Sequence, residues 1–215
     1  GMLVAMASRA VQHMQKALEQ MNVKLPEVVS DLTGVTGMGI VRAIVQGERD
    51  PKALAKLRDH RCKESAETMA RALHGTWQPE HLFALQQSLA LYDYYHEQIR
   101  ACDQVIEGHL QGMALAEVPP LAPRRRVRRR KDNEVTFDAR QRLHHVAGVD
   151  LTAIEGIEES TALTVLSEIG TDMSRWPSEK HFGSWLGLAP NPKKSGGRVK
   201  SSATRPGVHR AAQAL

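Results

Sequence analysis

The sequence predicts a mainly α-helical protein of 215 residues. Leu, Ala, Glu, Gln and Arg are abundant and aromatic residues make up only 4% of the chain, which favours helices over strands. Apolar residues recur every three or four positions, whereas the alternation typical of strands is nearly absent. We therefore expect a helical region at 1–113 with a long coiled-coil-like helix at 78–113, a Pro/Arg-rich basic linker at 114–134, and a small helical C-terminal domain at 135–215.

The charge is concentrated in the second half of the chain. Residues 1–113 carry a net charge of −1 and residues 114–215 a net charge of +6. The second half is therefore the predicted site of polyanion binding. No apolar run approaches the ~20 residues of a membrane span and the start lacks the order of a signal peptide, so we expect a cytoplasmic protein with no membrane partner.

The two cysteines, Cys62 and Cys102, lie far apart and have no metal-binding spacing. They indicate neither a zinc site nor a disulfide framework. We expect both to be buried as small apolar side chains.

Short helices are expected to precede the long one. The apolar stripe of residues 3–22 predicts a first helix, and Pro26 opens a short second helix that ends at Leu32. Three glycines at 34, 37 and 39 should then interrupt the pattern before a helix at 40–45. Asp50 is the expected N-cap of a helix over 52–58, and another helix is expected over 64–73.

The long helix begins at Pro79 and is expected to end near Met113. Its heptad-like seam consists of Leu82, Leu85, Leu89, Tyr92, His96, Ile99 and Ile106. Such a seam must be buried against the first helix, against another chain, or both. We expect a homodimer or higher oligomer through this helix.

A dense basic run follows three prolines. Its cations are Arg124, Arg125, Arg126, Arg128, Arg129, Arg130 and Lys131. Charge of this density repels itself and cannot form a packed core. The run is either a solvated tether or an arm that neutralises phosphates, and its chemistry favours the two interpretations about equally.

The C-terminal domain should start with two helices, over 138–146 and 160–169. The turn between them resembles that of a helix-hairpin-helix, whose backbone N–H groups bind DNA phosphate. Glu158 stands where a second glycine is usual, and Glu155 and Glu159 add negative charge, so a structural role is the stronger expectation. The sequence D-L-T-A-I-E-G at 150–156 is echoed by D-L-T-G-V-T-G at 31–37.

A loop around Ser195 is the candidate centre of the chemistry, although its local residues alone are more typical of a solvated turn than of a catalytic site. A helix that Ser178 should cap is expected to precede this loop, and Phe182 and Trp185 should lie on the apolar side of that helix. Gly196 and Gly197 can expose their backbone N–H groups to an anion, and the Lys and Arg residues on either side of them offset its negative charge. The candidate nucleic-acid contacts here are Lys193, Lys194, Gly196, Gly197, Arg198 and Lys200, together with Arg205 and Arg210 in a final helix.

These motifs, in this order, resemble transposases of the insertion sequence 110/116/902 family. The quoted segments are A-L-T-V-L-S-E-I-G at 162–170, R-W-P-S at 175–178, G-L-A-P at 187–190, S-G-G at 195–197 and R-P-G-V-H-R at 205–210. The V-Q-H-M-Q-K-A-L, R-A-I-V and G-E-R-D-P segments between 11 and 51, and the rod over 81–107, resemble the middle region of one subgroup. The resemblance thus covers nearly the whole chain.

The resemblance implies DNA transposition and recombination with Ser195 as the attacking nucleophile. In that family an N-terminal RNase H-like domain supplies metal-binding carboxylates, a coiled coil follows, and a structured RNA guides the choice of DNA. Those carboxylates have no counterpart here. We therefore expect a truncated chain that has no metal site of its own and is incomplete as a catalyst. The Mg²⁺ of the family is expected to bind to the missing domain. The alternative is a stand-alone helical nucleic-acid-binding or assembly module without catalysis.

Overall fold

The computed structural model describes residues 1–113, 117–123, 134–190, 192–204 and 209–215, and it describes Lys193 and Lys194 by their backbone alone. Within these residues the protein is mainly helical, as predicted. None of the helices in the described ranges combines the length and apolar character needed to cross a membrane. The helices are α1 (Met2–Gln20), α2 (Leu25–Val28), α3 (Val35–Val45), α4 (Pro51–Ala55), α5 (Ala66–Ala72), α6 (Pro79–Gly112), α7 (Ala139–Ala147), α8 (Glu159–Ile169), α9 (Glu179–Trp185) and α10 (Arg210–Ala214).

The chain divides into two compact units, Gly1–Ala101 and Cys102–Leu215. The first unit is built on the apolar stripe of α1, because residues three and four positions apart lie on one face of a helix. Met14 and Leu18 of this stripe are fully buried. They belong to one apolar core with Ile40 and Ile44 of α3 and Leu85 of α6.

Helix α3 differs from its prediction because it contains two of the three glycines that were expected to interrupt it. It begins at Val35, directly after Gly34, and continues through Gly37 and Gly39. A Cβ at position 37 would overlap the carbonyl oxygen of Leu32. Gly37 is therefore required by the close approach of the preceding loop, not by a break in the helix.

Side-chain caps fix the starts of several short helices. The Asp50 carboxylate accepts hydrogen bonds from the backbone N–H groups of Lys52 and Ala53, and this confirms the predicted cap. Ser65 accepts one from Thr68 N at the start of α5. Asp138 accepts one from Gln141 N at the start of α7.

The long helix α6 agrees with its predicted length to within one residue at each end. The first part of its seam is buried inside the first unit, where Leu85 is fully buried and Leu89 is 6% exposed. Leu82 and Tyr92 pack against the same core. This part of the seam is therefore covered by the chain's own helices.

The expectation of two buried cysteines is wrong for Cys102. Cys62 is half-buried and its Sγ lies 3.2 Å from Thr36 Oγ1. Cys102 is exposed because it lies on the side of α6 that faces solvent.

The second unit has a small core of its own. Leu143 of α7 and Ala162 and Leu166 of α8 pack with Leu110, near the end of α6. Helix α10 packs on α8, where its Ala211 is fully buried. Gly148 ends α7 in the left-handed conformation with a φ of 73°, which favours glycine.

The segments that flank the basic run are bonded to this second unit. Before the run, Pro119 O lies 2.7 Å from His144 Nε2, and Ala122 O accepts a hydrogen bond of 2.9 Å from Arg140 Nη2. After it, Thr136 N donates a hydrogen bond of 2.9 Å to the buried carboxylate of Asp103. Both flanks are therefore anchored, although the run itself lies outside the described residues.

Candidate nucleic-acid interface

Ser195 lies in a β-hairpin rather than in the predicted loop. Strands β1 (Lys193–Ser195) and β2 (Arg198–Ser201) pair antiparallel through a turn of two residues. Gly196 and Gly197 form that turn with φ values of 58° and 74°, the positive-φ pattern of a type I′ hairpin. The missed signal was the Gly–Gly pair between two short polar segments.

The turn itself requires the two glycines. A Cβ on either Gly196 or Gly197 would meet no atom within 4 Å in the described structure, so crowding does not select them. The positive φ selects glycine, because residues with a Cβ rarely adopt this backbone conformation. Close approach to a phosphate is compatible with this turn but is not needed to explain it.

The Ser195 hydroxyl is available to a group outside the chain. Ser195 ends β1, is exposed, and stands opposite Arg198 in the hairpin register. In the described part of the chain no group makes a hydrogen bond with its Oγ. The hydroxyl is therefore not used to hold the fold together.

Two cations share the Ser195 face of the hairpin. Directly opposed residues of an antiparallel pair lie on one face, as do alternate residues of one strand. This places Ser195, Arg198 and Lys200 on the same face and Val199 on the other. Arg198 and Lys200 are exposed, and within the described ranges neither has a carboxylate at ion-pair distance. The face therefore carries two cations that are free to bind an anion.

The base of the hairpin is fixed to the end of α9. The backbone N–H groups of Leu188 and Ala189 both donate to Gly183 O, at 2.9 and 3.3 Å. Pro190 and Thr204 then form an isolated antiparallel bridge that closes the hairpin. The Ser195 face thus begins a few residues from α9.

Arg210 already has a partner in the second unit. Its Nη1 lies 3.3 Å from Glu168 Oε1 of α8, and its side chain is 72% exposed. The pair ties α10 to α8. A phosphate would have to share this guanidinium with Glu168.

The turn between α7 and α8 is acidic, as the sequence predicted. Gly156 has a φ of 87° in this turn, and Glu158 is the N-cap of α8 without a side-chain cap bond. Glu155 and Glu159 lie beside it. Three carboxylates around the N-terminus of α8 would repel a phosphate because they carry the same charge. A packing role for this helix pair therefore remains the favoured interpretation.

A cluster of rings was not anticipated as a unit. The Trp185 cluster consists of Trp176, Phe182, Trp185 and His209. The Trp185 ring centroid lies 5.0 Å from that of Trp176, 6.3 Å from that of Phe182 and 4.2 Å from that of His209. The guanidinium of Arg175 lies over the Trp176 ring at 5.4 Å. The available signal was that three of the nine Phe, Trp and Tyr residues fall within 176–185.

Several predicted contacts lie outside the described residues. These are the basic side chains over 124–131, the side chains of Lys193 and Lys194, and Arg205. Their assignment to a nucleic-acid interface stays a prediction.

The resemblance assigns the Mg²⁺ of the family to an RNase H-like domain and not to the residues of this chain. Across the described ranges, no three His, Cys, Asp or Glu side chains come together in a way that could hold a metal ion.

Comparison with known proteins gives one family. Residues 137–215 match the model described as "Transposase IS116/IS110/IS902 family". Neither a curated protein nor a solved structure matches the chain. The match covers the hairpin, the Trp185 cluster and most of the second unit, and it leaves residues 1–136 unmatched. The C-terminal part of this chain is therefore similar to the transposases of that family.

Proposed function

We propose that the chain is part of an insertion-sequence transposase that binds DNA and uses Ser195 to attack a DNA phosphodiester. One observation supports this most strongly. Within the segment that is similar to the transposase family, Ser195 presents an exposed hydroxyl without an internal hydrogen bond, and Arg198 and Lys200 share its face. Phosphate is the anion that such a surface suits best.

The proposed step is a transesterification. Ser195 Oγ forms a bond to phosphorus, one P–O bond of the DNA breaks, and the departing oxygen becomes a hydroxyl. Arg198 and Lys200 offset the charge that builds on the phosphoryl oxygens. A base must take the proton from Ser195, and the described residues place none at hydrogen-bond distance from its Oγ. We propose that this chain is catalytically incomplete alone and acts with an RNase H-like domain and a structured guide RNA.

The test is the formation of a covalent protein–DNA adduct. The chain is mixed with the RNase H-like domain, the guide RNA, Mg²⁺ and labelled DNA, and the adduct is resolved under denaturing conditions. The proposal predicts an adduct for the parent chain and none for Ser195→Ala. Ser202→Ala is the matched control, because Ser202 is an exposed serine just after β2 and its replacement should leave the adduct unchanged. An adduct that survives Ser195→Ala contradicts the assignment.

The second candidate is a helical nucleic-acid-binding or assembly module without catalysis. The turn geometry favours it, since the φ values of Gly196 and Gly197 explain both glycines without any reaction. This module would bind nucleic acid with the salt dependence of phosphate contacts but form no adduct under any condition.

We also propose that two copies associate through α6. The first part of the seam that was expected to do this is occupied within the first unit, so the exposed face of the helix is the better candidate. Phe83, Leu91 and Tyr94 on that face are 62%, 48% and 53% exposed. Burial of these side chains against a second copy would remove apolar surface from water.

A further inference from the structure

The Trp185 cluster is built differently from the two apolar cores. Of the three tryptophans in the chain, Trp77 and Trp176 are half-buried, whereas Trp185 is 40% exposed. Its neighbour Leu186 is 2% exposed and fills the packing position at the end of α9. The exposed part of Trp185 is therefore not needed to close a core.

The surrounding rings hold Trp185 in place. Trp176 and His209 meet it in tilted and edge-on arrangements, and Phe182 lies nearly parallel to it, at an interplanar angle of 21°. Contacts of this kind stabilise aromatic pairs beyond the area that they bury. They restrict the orientation of the ring, so a flat ligand that lands on its exposed part finds a fixed surface.

The sequence around the cluster is rich in positive charge. Residues 171–204 contain six Lys and Arg but only two Asp and Glu. Arg175 places its guanidinium over the Trp176 ring. Lys180, which lies between Trp176 and Trp185 in the sequence, is exposed on α9. The hairpin with Arg198 and Lys200 follows within a few residues. This charge favours a polyanion over an apolar protein segment as the occupant.

We propose that the Trp185 cluster binds an unpaired nucleobase of single-stranded DNA or RNA by stacking. The phosphates beside that base then contact the described cations nearby in the chain, which are Arg175, Lys180, Arg198 and Lys200. Within a duplex the faces of each base are covered by its neighbours, so only an unstacked base can cover Trp185. The inference rests on the proposed function only in assigning nucleic acid to this unit, and it requires no reaction at Ser195.

The test compares two oligomers that carry the same phosphates. The full chain is titrated with labelled oligothymidylate and with an abasic oligomer of the same length, at one fixed salt concentration, and binding is followed by fluorescence anisotropy. Stacking of a base on an aromatic side chain strengthens binding about tenfold per base. The parent chain should therefore bind oligothymidylate about tenfold more tightly than the abasic oligomer.

Three variants separate stacking from other effects. Trp185→Ala should lower the affinity for oligothymidylate to that of the abasic oligomer and leave abasic and duplex binding unchanged. Trp185→Phe keeps a ring and should retain most of the difference. Leu188→Ala removes a neighbouring apolar side chain that is 47% exposed, and it should change nothing. Oligouridylate and oligodeoxyuridylate, measured in parallel, show whether RNA or DNA is the better source of the base.

Two results overturn the inference. One is equal affinity of the parent chain for the two oligomers, which needs no variant and so cannot arise from misfolding. The other is a loss in Trp185→Ala that is as large for the abasic oligomer and for duplex DNA as for oligothymidylate. Either result leaves adduct formation by Ser195 untouched. An absent adduct with an intact tenfold difference instead contradicts only the proposed function.

Discussion

At the scale of single residues, Arg140 joins separate segments of the second unit. Its Nε and Nη2 donate to Asp150 Oδ2 at 3.1 and 2.6 Å, and Nη2 also donates to Ala122 O. The two charged side chains are only 11% and 16% exposed. Asp150 in turn accepts from Thr152 N and Oγ1. Arg140 therefore fixes the chain before the basic run and the turn that leads to α8.

The Arg140–Asp150 pair predicts how stability changes with pH. Hydrogen bonding from Arg140 holds the pKa of the Asp150 carboxyl below its usual value. The ionised Asp150 carboxylate therefore makes its full contribution to the free energy of unfolding above the unfolded pKa of about 3.9. This contribution is lost as the pH falls through the lower pKa of the folded state. We expect Asp150→Asn to lower the free energy of unfolding by about 2 kcal/mol at pH 7 and to remove this pH dependence. Urea unfolding from pH 3 to pH 7 measures both.

Asp172→Asn is the control for this prediction. Asp172 accepts the same pair of bonds, from Ser174 N and Oγ, but it is exposed and no guanidinium among the described residues donates to it. Its replacement should cost less than Asp150→Asn. Equal losses would show that the turn, rather than the ion pair, is responsible.

At the scale of elements, α3 contains two glycines that the structure uses differently. Gly37 faces the backbone of Leu32 at a distance that leaves no room for a Cβ. Gly39, two residues later, would place a Cβ in open space. The sequence alone shows three glycines in one short stretch and cannot say which of them a neighbouring loop requires.

We predict opposite effects for alanine at these two sites. Gly37→Ala forces the backbone apart and should cost about 2 kcal/mol or more of unfolding free energy. Gly39→Ala should stabilise by up to about 1 kcal/mol, because alanine is the better helix former. Thermal unfolding of the two variants gives the sign of each effect. A destabilised Gly39→Ala with an unaffected Gly37→Ala would contradict this packing of α3.

Helix α6 presents a second difference between pattern and structure. Its heptad seam correctly indicated a buried face, but the pattern left open which element covers it. Leu89 packs in the core of the first unit, so Leu89→Asp would unfold that unit and could not test association. The exposed face with Tyr94 is where association has to be tested.

We expect Tyr94→Asp to weaken self-association more than tenfold without unfolding the protein, because it places a charge in the proposed contact. Sedimentation at several concentrations measures the association constant, and circular dichroism checks the fold. Arg100→Gln is a matched control, because Arg100 is exposed on another side of the same helix. A parent chain that stays monomeric at tens of micromolar contradicts association through α6.

At the scale of the whole molecule, the sequence was most informative where the signal is local. Nearby residues were enough to predict the helix starts at Asp50 and Asp138, the span of α6 and the acidic turn before α8. The hairpin was missed because its strands are too short for alternation to be visible. The Trp185 cluster was missed as a unit because the sequence shows that three rings lie within 176–185 but not that they contact one another and His209.

The uneven charge of the molecule predicts where its salt dependence arises. Replacement of the six arginines over 124–130 by Gln should reduce the salt slope of duplex DNA binding by up to ~5, since each phosphate contact contributes about 0.9. Lys52→Gln with Lys56→Gln, two exposed changes in the first unit, should leave the slope unchanged. An unaltered slope after the arginine replacements would assign the run to a tether.

The most direct test of the central claim is to locate the DNA linkage in the adduct. The adduct formed with the RNase H-like domain, guide RNA and Mg²⁺ is trimmed with nuclease and protease, and its peptides are sequenced by mass spectrometry. We predict a nucleotide phosphate on the peptide that contains the β-hairpin, attached at Ser195. Attachment to any other residue would contradict the assignment of Ser195 as the nucleophile.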